Sequence, residues 1–318
     1  MNSILESIKP VIKKSKYVKI NKENLKRICS KFRPEDVKHW MDESPFDLSG
    51  LSSQERLNFI FVFNSINFCY WGDPKWMIKY QGKQYDGAWG MVASILKALN
   101  KGIPILDAKY LSTLGRDELS EILKGNVIIP LFDERLRILR ENGEILARKY
   151  DGKFSRVIEI ANKDALRVLN ILTTDFPSFD DHAFYDGQKV LFHKRAQLAI
   201  ADIYRSFKGQ GFGNLRNISQ LTAFADYKIP QILRKFEILE YSPELEAKID
   251  NKIQIPSGSK EEIEIRANTI WAVELMKREL KTKIPNITSM DIDSYLWLLG
   301  QNESLNDKPY HRTLTIFY

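Results

Sequence analysis

The chain of 318 residues has few cysteines and histidines, and it lacks the motifs of several large enzyme classes. Its two cysteines, Cys29 and Cys69, have neither zinc-site nor redox spacing, so disulfide staples and zinc ribbons are not expected. The four histidines also lack metal-ligand spacing. No HExxH, CxxC, Walker or GxSxG motif is present, which argues against metal, redox, nucleoside triphosphate and serine-nucleophile chemistry. We therefore expect a protein without a metal or another cofactor.

Long apolar runs are absent too. No segment is long enough to cross a membrane, and residues 4–20 mix apolar with basic side chains, which predicts a cytoplasmic protein without a signal peptide. Hydrophobic residues make up 43% and charged residues 28%, as in ordinary globular proteins. The net charge of +7 favours an anionic partner such as a nucleotide, a nucleic acid or a phosphorylated metabolite. Because the basic residues are spread along the chain, charge alone does not identify that partner.

Helical periodicity covers most of the chain, and strands are expected at only a few places. Residues 52–71 begin with a capping signature and continue as an apolar, aromatic run, which predicts a helix buried on most sides. Residues 261–281 predict another long helix, whereas residues 76–89 alternate around Gly82 and predict a β-hairpin. The fold class that follows is mainly α with a few short strands.

The stretch from Ile218 to Leu239 is the most informative part of the chain. Its apolar residues have helical spacing in two sets, which predicts two short helices: Ile218, Leu221, Phe224 and Ala225, then Ile229, Ile232, Leu233 and Phe236. Pro230 suits the first turn of the second helix, so Asp226 and its neighbours lie at the joint. An acid before a helix is commonly an N-cap, but a carboxylate in such a joint could also face a ligand. Both interpretations of Asp226 stay open.

The end of the first aromatic segment allows two interpretations as well. Asn67 lies close to Phe68 and Trp71, a combination that a planar heterocycle meets in a binding pocket. The alternative is an aromatic core in which each buried amide has a hydrogen-bond partner.

Asp293 is the second carboxylate of interest. Thr288 and Asp291 form a helix-start signal, so Asp293 lies in the early turns of a helix, where we expect the helix dipole to favour its ionised form. An ionised carboxylate beside a sugar can stabilise an oxocarbenium-like transition state or attack the anomeric carbon, as glycosidic bond cleavage requires. A second acid such as Asp226 could orient or protonate the departing base. A simple helix-start acid remains the alternative for Asp293.

Six blocks of the sequence together resemble the queuosine salvage proteins. The blocks read NFIFVFNSINFCYW, FHKRAQLAIADIY, LTAFADYKIPQIL, IEIRANTIWAVELM, DSYLW and HRTLTIFY, in order and with comparable spacing from about Ser52 to Tyr318. Those proteins are queuosine 5′-phosphate N-glycosylases, which release the base queuine for tRNA modification. The resemblance implies a mostly helical core similar to helix-hairpin-helix DNA glycosylases, and no metal. It also implies one domain over residues 1–318, in which a helical part of about 1–150 packs on a glycosylase-like part of about 151–318.

The resemblance also implies roles for individual residues. Phe224, Asp226 and Tyr227 would line the base pocket, with Asp226 on the donor-rich edge of the deazaguanine and Phe224 stacked against it. Asp293 would be the nucleophile or the stabiliser of the oxocarbenium ion, although the two acids could exchange roles. Trp297 would add another ring to the pocket.

Five further residues complete the expected substrate site. Asn67, Phe68 and Trp71 would form a pocket wall, and the basic residues Lys194 and Arg195 are candidates for the 5′-phosphate. The expected partner is therefore the small molecule queuosine 5′-monophosphate, with queuine as the product and no direct contact to nucleic acid.

The chain departs from the family pattern at two places. Relatives tend to have a histidine shortly before the aromatic helix, where this chain has none that aligns; His39 is the nearest. Some relatives have an acid where this chain has Leu298. Two alternatives therefore stay open: a DNA or RNA base glycosylase that flips its target base, and a non-catalytic queuine-binding protein. A missing Leu-Pro-Gly-Val-Gly hairpin argues against the first, and the two aspartates argue against the second.

Overall fold

The computed structural model describes residues 2–301 and 308–318, and over these residues the chain is mainly helical, as predicted. The described part contains fourteen α-helices and six short strands. The helices are α1 (Ser3–Lys14), α2 (Lys22–Lys31), α3 (Ser53–Ser65), α4 (Gly87–Asn100), α5 (Ala108–Thr113), α6 (Arg116–Ile122), α7 (Phe132–Lys149), α8 (Phe154–Ile160), α9 (Ala165–Asp175), α10 (Lys194–Ser206), α11 (Lys228–Lys235), α12 (Pro243–Asp250), α13 (Lys260–Leu280) and α14 (Ser289–Leu299). The strands are β1 (Val18–Ile20), β2 (Met77–Tyr80), β3 (Lys83–Asp86), β4 (His182–Tyr185), β5 (Gln188–Leu191) and β6 (Leu239–Tyr241).

The strands form three antiparallel pairs. Strands β2 and β3 form the hairpin that the sequence predicts, and β4 pairs with β5 in a second hairpin. Strand β1 pairs with β6, so residues near the N-terminus are hydrogen-bonded to a segment more than two hundred positions later. This long-range pair holds α2 and α11 on the same side of the molecule, because each helix adjoins one of the two strands.

Two of the predicted helix starts are confirmed in detail. The Ser52 hydroxyl accepts a hydrogen bond from the amide of Glu55, whose carboxylate in turn accepts one from the amide of Ser52. Thr288 and Asp291 form the same reciprocal pair at the start of α14. Capping boxes of this kind satisfy amides that have no partner within the first helical turn.

Helix α3 lies between two apolar cores. Leu57 and Phe61 belong to the larger core, which also contains residues of α1, α2 and α8 to α14. Phe59 and Phe63 belong to the smaller core, which contains residues of α4 to α7. Because opposite sides of α3 are buried in different cores, its sequence is apolar almost all round. The N-terminal helices α1 and α2 share the larger core with α13.

The first of the two helices predicted between Ile218 and Leu239 is wrong. Ile218–Gln220 forms a single 3-10 turn, and the chain then has no regular secondary structure as far as Asp226. Side chains from other elements bind this backbone instead: the amide of Thr222 donates to Gln197 Oε1 (2.8 Å), and the amide of Phe224 donates to Asp293 Oδ2 (2.7 Å). These long-range bonds replace the helical ones. The second helix is confirmed as α11, with Pro230 in its first turn.

Two buried arginines hold the irregular segment that follows α3. The Arg135 guanidinium donates to the carbonyl groups of Ile66, Phe68 and Cys69, and Arg195 donates to the carbonyl groups at the end of α3. The ring of Phe68 lies between the two guanidinium groups, 4.2 Å from Arg135 and 5.0 Å from Arg195. Cation–π contacts and charge-assisted hydrogen bonds therefore fix a segment that has no regular structure of its own.

Replacing Arg135 by methionine should destabilise the protein. The change leaves several buried carbonyl groups without a donor, and we expect the free energy of unfolding to fall by about 3 kcal/mol or more. Urea denaturation followed by circular dichroism measures the loss. The matched control is Arg137→Met on the same helix, where a half-exposed guanidinium pairs with Glu134 and Glu141. That control should cost about 1 kcal/mol or less, and equal losses for the two variants would contradict the role given to Arg135.

Candidate active site

A cavity of about 250 Å³ lies where the two cores meet. Its wall is formed in part by helices α3, α10 and α14, by the residues before α11 and by the irregular segment after α3. Its lining includes nine aromatic side chains besides Trp40, and several charged ones: Phe63, Phe68, Tyr70, Trp71, Phe224, Tyr227, Trp297, Tyr310 and Tyr318, with Lys75, Asp86, Lys194, Asp226, Lys228 and Asp293. An aromatic wall with a few charged groups is typical of a site for a small organic ligand.

Asp226 both caps a helix and lines the cavity. Its Oδ1 accepts hydrogen bonds from the amides of Lys228 (2.8 Å) and Ile229 (2.9 Å), at the start of α11. The residue is 7% exposed and belongs to the cavity wall. The two interpretations that the sequence left open are therefore compatible, because one carboxylate oxygen caps the helix and leaves the other available to a ligand.

Asp293 lies in the second turn of α14 and is buried beside the cavity. Burial raises the pKa of its carboxyl group well above the ordinary value, and the nearby Asp226 raises it further. The hydrogen bond from the Phe224 amide acts in the opposite direction but does not reverse the shift. Burial and the like charge therefore act against the ionised form that the helix dipole was expected to favour, because the dipole fades beyond the first turn.

Lys194 supplies a positive charge next to the two acids. It is 6% exposed, begins α10 and lines the cavity together with Leu198, four residues later on the same helical face. Burial lowers the pKa of Lys194, while Asp226 and Asp293 oppose that shift by favouring the ammonium form. Two acids and one buried lysine thus share a single low-dielectric space, where interactions between charges are strong.

Arg195 does not belong to this group, although the sequence suggested it for the 5′-phosphate. Its guanidinium turns away from the cavity and donates to the carbonyl groups of Asn64 (3.0 Å), Ser65 and Ser178. Consecutive helical residues point about 100° apart, so Lys194 and Arg195 cannot both face the same ligand.

The other predicted pocket residues all lie in the cavity wall. Asn67, Phe68 and Trp71 contribute from the segment after α3, Phe224 and Tyr227 from the segment before α11, and Trp297 from α14. The indole of Trp71 donates to the carbonyl of Thr313 (3.2 Å), which ties the C-terminal residues to this wall. The structure thus brings nine of the ten predicted site residues together and leaves Arg195 outside.

A buried ion pair that sequence reasoning missed connects these elements. Arg266 on α13 forms two hydrogen bonds to Asp181 (2.9 and 2.6 Å) and donates from Nε to the carbonyl of Ala225 (3.2 Å). Asp181 also accepts a hydrogen bond from the amide of Lys194 (3.0 Å). The pair therefore fixes the backbone beside Asp226 relative to the start of α10. Arg266 stands in one of the six sequence blocks, but nothing local in the sequence pairs it with Asp181.

Sequence reasoning also missed Trp40, Lys228 and Tyr310 as cavity residues. His39 is buried next to Trp40 but does not line the cavity. Leu298 is partly buried against the smaller core, also outside the cavity wall.

Residues 2–301 and 308–318 contain neither a candidate metal cluster nor a candidate membrane-spanning helix. In that part of the chain, no group of three or more histidine, cysteine, aspartate or glutamate side chains is arranged to hold a metal ion. Within the same residues, no helix combines the length and the apolar character needed to span a bilayer.

Comparison with known proteins identifies the family. A family model described as queuosine salvage protein matches residues 49–318. The chain is 40% identical to the queuosine 5′-phosphate N-glycosylase/hydrolase of Sphaerobacter thermophilus, over 99% of this chain and 97% of that protein. It is 33% identical to the Mus musculus protein of the same name, over 98% of both chains, and 34% identical to that of Dictyostelium discoideum, over 96% and 95%. The chain therefore belongs to the queuosine salvage protein family.

Proposed function

We propose that the chain hydrolyses the N-glycosidic bond of queuosine 5′-phosphate to give queuine and ribose 5-phosphate. The observation that carries the proposal is the convergence of Asp226, Asp293 and Lys194 on one aromatic cavity. Two acids in different environments are what glycosidic bond cleavage requires, and a buried lysine suits an anionic substrate. The names of the relatives at 33–40% identity over nearly the full length support the same activity.

In this proposal the two carboxyl groups share one proton. Two neighbouring carboxylates in a buried site rarely ionise together, and burial raises the pKa of Asp293. Asp293 is then the acid and Asp226 the anion. The resemblance suggested the opposite roles, but it also allowed the two acids to exchange them. The bond between C1′ and the base breaks as Asp293 gives its proton to the departing base. Asp226 stabilises the oxocarbenium-like sugar and accepts a proton from the water that adds at C1′.

The aromatic wall would hold the base. Phe224 is buried in the cavity wall next to the amide that binds Asp293, so a base stacked on its ring lies close to the acid. Tyr227 and Trp297 line the same cavity and would close it from other sides. Stacking on aromatic rings suits a planar deazaguanine and needs no metal.

Two alternatives remain distinguishable from this proposal. A base glycosylase acting on DNA or RNA would need the helix-hairpin-helix likeness that the resemblance implies. For this chain, we propose that likeness only for the helical core. A non-catalytic queuine-binding protein would need the same aromatic wall but no proton on Asp293. The arrangement of the two acids favours hydrolysis of a free nucleotide over both alternatives.

The proposal is tested by incubating the purified chain with queuosine 5′-phosphate and separating the products by chromatography. Queuine and ribose 5-phosphate should appear in equal amounts, whereas queuosine-containing tRNA should stay intact. Asp293→Asn and Asp226→Asn should each slow release about 100-fold or more, because each removes an acid–base partner. Asp117→Asn, on the exposed surface of α6, is the matched control and should keep full activity. A folded wild-type chain that binds queuine but forms none from queuosine 5′-phosphate would favour the non-catalytic alternative.

Replacing Lys194 by alanine tests whether this lysine binds the 5′-phosphate. The change removes a charge-assisted contact, so kcat/KM should fall roughly 10- to 100-fold more for queuosine 5′-phosphate than for queuosine. Both substrates are assayed with wild type, Lys194→Ala and the exposed control Lys109→Ala. Equal losses on the two substrates would assign Lys194 to the carboxyl pair instead of the phosphate.

The protonated state of Asp293 predicts a pH profile. Because its pKa is raised, the carboxyl group keeps its proton at pH values where a free aspartic acid is ionised, and it loses the proton as the pH rises through that raised value. We therefore expect kcat to decline on the alkaline side. The profile is measured for wild type and for Lys194→Arg, whose guanidinium stays charged throughout. A kcat that rises steadily with pH contradicts the assignment, and a decline absent from an active Lys194→Arg variant assigns it to Lys194.

A further inference from the structure

Trp40 lines the cavity from a segment without regular structure. It lies between α2 and α3, in the stretch that follows a 3-10 turn at Pro34–Asp36. Its indole is 8% exposed and packs against Phe63, Trp89 and Trp297, with ring centroids 5.5, 5.2 and 5.8 Å away. An aromatic residue on an irregular segment needs a specific contact to hold its ring in one place.

Asp202 supplies that contact from behind the cavity. The indole Nε1 of Trp40 donates to Asp202 Oδ1 (2.8 Å), and the Asn64 amide donates to Asp202 Oδ2 (2.9 Å). Asp202 is two helical turns after Lys194 on α10, on the same face as Leu198. The helix that carries the cavity lysine therefore also fixes the indole.

His39, beside Trp40, does not take over this hydrogen bond. Its Nδ1 accepts from the amide of Met41 (3.2 Å), so in the neutral ring the proton is on Nε2, and burial lowers the pKa of His39 to about 3. Nε2 is 3.9 Å from Asp202 Oδ1, beyond hydrogen-bonding distance. Trp40 is thus the donor that binds Oδ1.

A carboxyl group is costly at this place. Asp202 is 1% exposed, and burial raises its pKa to about 7, while the hydrogen bonds from Asn64 and Trp40 limit the rise. An apolar side chain would fill the same volume without that desolvation cost. Buried ionisable groups with strongly shifted pKa values concentrate at functional sites.

We propose that Trp40 is a wall of the base-binding site and that Asp202 is its positioning residue, which fixes the indole against the planar base. The proposal rests on the proposed function, since it assigns the base as the ligand of this wall. It adds a fixed ring beside Trp297 of α14, the helix that also carries Asp293. Asp202 lies outside the cavity wall and holds the Trp40 indole by a direct hydrogen bond, while its charge also acts on Lys194 and Asp293.

The test is a double-mutant cycle on queuine affinity, measured by tryptophan fluorescence titration of the full chain. Trp40→Phe keeps an aromatic ring but removes the donor, and Asp202→Leu removes the acceptor; each should weaken queuine binding about three- to tenfold. The double variant should lose as much queuine affinity as the single variant that binds queuine more weakly, because both changes break the same contact. Asp202→Asn keeps an acceptor oxygen and should bind nearly as wild type.

Trp271→Phe is the matched control, since Trp271 on α13 packs against Arg278 and does not line the cavity. Its effect and that of Asp202→Leu should multiply in the double variant. Turnover on queuosine 5′-phosphate should show a higher KM with kcat nearly unchanged in Trp40→Phe.

Three results would overturn the inference: unchanged queuine affinity in folded Trp40→Phe, multiplying losses in the Trp40–Asp202 cycle, or a fall in kcat alone. If Asp202→Leu does not fold, as shown by urea denaturation, Asp202→Ala takes its place in the cycle, because it also removes the acceptor, and the same outcome is expected. A wild-type chain that binds queuine but forms none from queuosine 5′-phosphate would refute the proposed function. The affinity cycle would still decide the role of Trp40.

Discussion

The ion pair between Asp181 and Arg266 is the constraint on which the rest of the site depends. It joins three elements that are far apart in sequence: the start of α10, the irregular segment before α11 and the long helix α13. Both side chains are almost fully buried, where an unpaired charge would be very unfavourable, so the pair holds its partners in one arrangement. Through it, Lys194 and Asp226 face the same cavity although thirty-two positions of chain separate them.

The fold holds two acidic side chains, Asp226 and Asp293, close together in the cavity, where they repel each other when both are ionised. Lys194 offsets only one of the two negative charges. A proton retained on Asp293 removes the repulsion between the two carboxylates, and it also provides an acid for a departing base. The aromatic wall, fixed by Arg135, Arg195 and Asp202, gives that chemistry a planar binding surface.

Local signals in the sequence predict local structure here, and they fail where distant groups decide. The capping boxes at Ser52 and Thr288 depend on residues three positions apart, so both helix starts are predictable. The irregular segment at Thr222 depends on Gln197, a contact that no helical periodicity contains, and helical spacing therefore predicts the wrong structure. The family blocks identify most of the cavity. The direction of the Arg195 side chain and the raised pKa of Asp293 depend on packing between distant elements, which no local pattern in the sequence contains.

The shared proton is the central physical claim, and infrared difference spectroscopy tests it most directly. A protonated carboxyl group absorbs as a C=O stretch well separated from the bands of an ionised carboxylate. At neutral pH, the spectrum of wild type minus that of Asp293→Asn should contain one such stretch, whereas wild type minus Asp226→Asn should show the loss of ionised carboxylate bands. A wild-type spectrum without a protonated carboxyl band assignable to Asp293 would contradict the account.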